Sequence, residues 1–293
     1  RKKEEKMKLK KRNVFIGITS FLIVLFTMPL GHALMILMEH LMEPVTMHYA
    51  TFFMGLIGLI MVITGVFAKG DTQQTLWGLF GGLLFWTGWI EFIYVYYAHR
   101  FGVQPLIVDG EVVTKPEYLI MPSSFGFWFM LLYLFNIKSG CDFFNYLQRV
   151  FFRNSKVQVE MRPMTRHTSL VTFMELNLIL WTNYMVLLFC YDDNFIGDRH
   201  PITALVAFGC LVGSLFMFRR LINISQWGYA LRFSIATVVV FWTFVEVMGR
   251  WNAFHEIWVE PMTYQSEMIT IFLAFIVLVT FLWYKSIKNK KTL

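Results

Sequence analysis

The chain has 293 residues, of which 57% are hydrophobic, 18% aromatic and only 15% charged. Soluble domains carry roughly 25% charged residues, and here the apolar residues run in long unbroken stretches, which excludes an ordinary soluble fold and makes lipid the main solvent. The net charge of +7 does not mark a nucleic-acid binder, because Lys and Arg flank the apolar runs, where they orient a membrane protein and meet anionic headgroups.

The composition and its runs predict an all-α, polytopic membrane bundle of about eight helices, read as a single transmembrane domain over 1–293. A basic tail, RKKEEKMKLKKR, occupies the start of 1–13. The first span, 14–38, is too long for a signal-peptide core and lacks a small-residue cleavage site, so it is read as retained. At 100° per residue Met28, His32, Glu39 and Glu43 fall within about 60° of one another, with Met35 at the edge. An unpaired ionisable group at that depth costs about 2.5 kcal/mol or more, so the stripe is expected to face protein, with a partner or an ion.

The second span, 49–68, carries Gly55, Gly58 and Gly65, a small-residue face suited to close helix packing. The third, 75–98, holds the pair Gly78 and Gly82 and then Thr87, Glu91, Tyr94 and Ala98 on one face, with His99 at its end. The fourth is expected over 118–137, followed by a cytoplasmic loop over 138–167 with six Lys and Arg residues from Lys138 to Arg166. The fifth, 168–190, has Glu175 with Thr168, Thr172 and Thr182 on its face, and Arg232 of a later span is a candidate to neutralise it. The sixth is 201–218. The seventh, 226–249, contains Glu246 with Arg250 four residues on, a spacing that permits an ion pair. A loop carrying His255, Glu256 and Glu260 precedes the eighth, 267–285, and KSIKNKK closes the chain.

Eight crossings put the basic tail, the 138–167 loop, Arg219 with Arg220, and the closing lysines on one side. The positive-inside bias therefore predicts both termini in the cytoplasm, in a bacterial inner membrane. A weak repeat relates Phe85-Trp86-Thr87 and Glu91 to Phe241-Trp242-Thr243 and Glu246, which suggests two parallel four-helix halves. Cys141, Cys190 and Cys210 have no ligand spacing and imply no disulfide framework.

Six of the seven histidines and most acids beyond the tail gather toward the outer face. Imidazole, carboxylate and nearby thioether donors suit a transition metal. The expected ligands are His32, Glu39, His40, Glu91 and His99, and the expected ion is copper, iron or zinc. No Walker A, Rossmann, HExxH or CxxCH pattern occurs. The leading expectation is a metal-binding membrane protein, a redox enzyme or part of one, in contact with the bilayer. Two alternatives stand beside it: a non-catalytic subunit bound to other membrane subunits, and an ion- or proton-coupled transporter. The sequence does not decide whether the chain is an enzyme.

Overall fold

Long helices dominate the computed structural model, which describes residues 2–108, 111–124 and 167–288. Helix α1 (Lys2–Leu41) turns directly into α2 (Pro44–Val66), whose Pro44 sits at the first helical position, where its missing N–H costs nothing. Helix α3 (Asp71–Phe85) passes through a six-residue π-helical segment (Trp86–Glu91) into α4 (Phe92–Arg100), and the three act as one continuous rod. A short antiparallel hairpin, β1 (Leu106–Val108) and β2 (Glu111–Thr114), leads to α5 (Pro116–Ile120) and a 3₁₀ turn (Met121–Ser124). Then come α6 (Thr168–Tyr191), α7 (Pro201–Leu221), α8 (Trp227–Arg250) and α9 (Gln265–Lys288).

Among the described residues seven rods are long and apolar enough to cross a membrane: those of α1, α2, α3–α4 and α6 to α9. Their bounds fall within a few residues of the expected spans. The expected fourth span and the basic loop lie outside the described residues, apart from 118–124 and His167. The hairpin was not expected, because three- and four-residue strands leave no readable alternation.

Contacts fix which helix ends share a face. Asn13 donates to the Asn223 carbonyl at 3.2 Å, and Thr168 donates to Asp71 at 3.1 Å. The Lys285 ammonium lies 5.5 Å from the Phe15 ring and 5.3 Å from the Trp227 ring. The membrane end of α1's basic stretch, the starts of α3, α6 and α8, and the ends of α7 and α9 therefore form one face, the proximal face. There Arg232, only 9% exposed, donates to Asp71 at 2.8 Å and to Thr75 at 2.7 Å. Its partner is thus on α3, rather than Glu175 alone as its level in the sequence suggested. The pair ties α8 to α3 at a depth where an isolated guanidinium is costly.

Helix α8 is the central element, buried along much of its length against α1, α3, α6 and α7. Ile23, Leu76, Leu79, Leu176, Leu231 and Ile235 form a solvent-free plug from four helices. Above this plug, toward the distal face, polar side chains replace aliphatic ones.

Candidate functional site

The π segment is the local feature that builds the site. A π turn holds one residue more than an α turn, and such segments recur at functional sites because they redirect side chains. Here it lies where α3 crosses α2 at glycine. A Cβ on Gly88 would stand 2.6 Å from the Thr51 carbonyl oxygen and against the Gly55 nitrogen. The neighbouring Trp89 indole lies over Gly55 and donates to the Phe52 carbonyl at 2.9 Å. With Trp89 held outward on α2, Trp86, Thr87 and Glu91 turn inward.

They turn into a cavity of about 460 Å³ in the distal half of the bundle. Its walls come from α1 (Met28, His32), the π segment (Trp86, Glu91), α6 (Asn183, Tyr184, Tyr191) and α8 (Trp242, Glu246). Lys115, which joins the hairpin to α5, and Tyr118 of α5 lie near the rim, and the loop after α8 contributes Glu256. Trp86 packs edge-on against Trp181 at 5.7 Å and lies 5.5 Å from Tyr184, which closes the floor with aromatic rings.

Two paired carboxylates face this space. The Tyr184 hydroxyl donates to Glu91 at 2.6 Å. The Trp242 indole donates to Glu246 at 2.5 Å, and the same Glu246 oxygen lies 3.4 Å from His32 Nε2. The other ring nitrogen of His32 lies 3.0 Å from the Met28 carbonyl. A carbonyl only accepts, so Nδ1 carries a hydrogen, and the Nε2 approach to Glu246 is attractive only when the two groups hold a proton between them. Both His32 and Glu246 are about a quarter exposed, 28% and 24% by side chain, to the cavity side. Arg250 pairs with Asp198 at 3.5 Å and lies 4.9 Å from the Tyr191 ring.

Glu256 arrives from outside the spans. Gly249 makes room for it: a Cβ there would stand 2.5 Å from the Glu256 Cδ. Burial and then the like charge of Glu246 raise the Glu256 carboxyl above its ordinary range, against the opposing pull of His32 and Arg250. Glu117, on the short helix α5, is raised as well, first by burial and also by Glu39 and Glu91, while Lys115 lowers it.

The five residues expected as ligands separate. His32 and Glu91 line one cavity. Glu39 faces Lys115 at 3.8 Å near the rim. His40 is exposed, with Nδ1 2.9 Å from the Ile36 carbonyl, and His99 is exposed in the last turn of α4. Glu43 does not extend the α1 stripe, since it caps α2 and is exposed. Among the described residues no three His, Cys, Asp or Glu side chains stand where one ion would be held. Cys190 and Cys210 are free thiols.

Tyr184, Tyr191 and Asn183 escaped the sequence reading, because an uncharged polar residue in a span is unremarkable until its neighbours are known. Glu246 and Glu256 carried a visible signal, a carboxylate in or beside a span. The relation between Trp86–Glu91 and Trp242–Glu246 gains a physical meaning. Trp86 and Trp242 each lie fifteen residues beyond the first residue of their helices, Asp71 and Trp227. Glu91 follows its Trp by five residues and Glu246 by four, and the π segment takes up the extra one, so both pairs reach one cavity.

No family model, no curated protein and no solved structure matches this chain.

Proposed function

We propose that this multi-pass membrane protein binds an amphipathic small molecule in the outer half of the bilayer and exchanges a proton with it. The acting groups are His32, Glu91 and Glu246. The observation that carries this reading is the meeting of two hydrogen-bonded carboxylates and an imidazole in one aromatic-walled cavity inside the spans. Ionisable side chains there are costly and mark ligand or proton paths, and a cavity of several hundred Å³ with convergent polar groups is the usual form of a small-molecule site. The basic flanks of the proximal face support a cytoplasmic placing of that face, and with it an outward-facing cavity.

The 3.4 Å approach of His32 Nε2 to Glu246 gives a ligand's proton a place to be exchanged, so in this reading binding and protonation are linked events. Titration calorimetry of the detergent-purified protein, in buffers of different ionisation enthalpy, measures that link. The expected result is a ligand whose binding takes up or releases about one proton in the wild type and none in His32→Ala. Ligands that bind with no proton exchange, or that bind the variant identically, would overturn the reading.

Copper, iron or zinc held by His32 with a cavity carboxylate is the second reading, favoured by imidazole and carboxylate donors 3.4 Å apart. In that case elemental analysis finds about one equivalent of metal, lost in His32→Ala, and metal titration supplants organic ligand binding.

A further inference from the structure

Resting on the cavity reading above, we propose that the ligand is an organic cation: a protonated amine attached to an apolar body. The argument begins with how the charges around the cavity are matched. Among the described residues, both permanent cations at its edge are satisfied from behind. Lys115 faces Glu39 and Arg250 faces Asp198, and neither acid lines the cavity. The acids that do line it are matched differently. Glu91 is held by the neutral Tyr184 hydroxyl, and Glu246 by the neutral Trp242 indole and by His32. Among the described residues no Lys, Arg or His stands within ion-pair distance of Glu91 or Glu256. The cavity therefore presents surplus negative charge toward its own interior, and a cationic occupant supplies what the protein withholds.

The walls agree with the charge. The rings of Trp86, Trp242, Tyr118, Tyr184 and Tyr191 line the same space. An ammonium group is attracted to aromatic faces, Trp most of all, and desolvation strengthens that attraction. An anion gains nothing from these rings and meets four carboxylates, those of Glu91, Asp192, Glu246 and Glu256. The Tyr191 hydroxyl, buried and without a hydrogen-bond partner among the described residues, offers a further acceptor. Met28, Leu180 and Leu187 give the apolar body of the ligand its seat.

The test uses probes of one shape and three charges: phenylbutylamine, phenylbutanol and phenylbutanoate, with phenylbutyl-trimethylammonium as the form that cannot lose its charge. Affinity is read from quenching of intrinsic Trp fluorescence on the intact protein in detergent. The two cations are expected to bind the wild type at least about tenfold more tightly than the alcohol or the carboxylate. Glu91→Gln is expected to erase that preference, the cations losing about tenfold more affinity than the alcohol does. Glu256→Gln, which keeps the side chain's shape and removes its charge, is a second variant expected to reduce it in part. If the alcohol equals the amine, with proton exchange intact, the cationic class falls and the cavity reading stands. If no probe binds a folded wild type, the class is overturned as well.

Discussion

Single side chains in this protein show how position fixes proton affinity. Glu256 lies in the loop after α8, pressed against Gly249, and its carboxyl is raised by burial and by Glu246. A carboxyl raised in the fold contributes its stabilising effect in the protonated form, below its ordinary range, and loses it as the pH climbs through the folded value. The wild type is therefore expected to lose thermal stability between mildly acidic and mildly alkaline pH partly through this group. Glu256→Gln keeps the shape and removes the charge. Its Tm should exceed that of the wild type at pH about 8 and converge with it at pH about 4, as measured by Trp fluorescence on heating. A variant less stable at both ends would mean that the ionised carboxylate holds the loop.

Among the elements, the π segment has the largest consequence for the site, and it was invisible in the sequence. The helical wheel set Thr87, Glu91, Tyr94 and Ala98 on one face by assuming a constant 100° per residue. The six-residue π turn breaks that assumption between Trp86 and Glu91. What the sequence did contain was the cause: Gly88 on α3's rod and Gly55 on α2, whose significance lies only in their crossing. Span positions were legible because a run of apolar residues has one solution in lipid, a helix. The side chains that converge were not, because rotation and neighbour order depend on glycine contacts between segments distant in sequence. The crossing predicts a specific failure. Gly88→Ala pushes its new methyl into the Thr51 carbonyl, which as backbone cannot turn aside. The expected cost is about 1–3 kcal/mol, as for other overpacked contacts. Glu91 should move with the segment, so that loss of ligand-linked proton exchange exceeds what the fall in Tm alone explains. Unchanged exchange in a destabilised variant would separate the crossing from the site.

At the scale of the whole molecule, the shared faces of the helix ends convert one labelling experiment into a test of orientation. The turn between α7 and α8, around Asn223, lies on the same face as Asn13 of α1, and the contact of Lys285 with Phe15 brings the end of α9 to that face. The loop joining α6 to α7, around Asn194, and the loop around His255 lie at the opposite ends of those helices. The positive-inside bias predicts the direction: Arg219, Arg220, Lys285 and Lys288 belong to the first face, which is expected to be cytoplasmic. In a background without Cys141, Cys190 and Cys210, single cysteines at Asn194 and His255 should react with a membrane-impermeant maleimide from outside intact cells. Cysteines at Asn223 and Lys288 should react only after the membrane is opened. The positions are chosen in pairs because the fold allows only two answers. Both members of a pair must label together, since contacts hold them on one face whatever the direction of insertion. Labelling of Asn223 and Lys288 from outside would invert the molecule and place the cavity of His32, Glu91 and Glu246 against the cytoplasm. Its ligand would then have to be sought inside the cell.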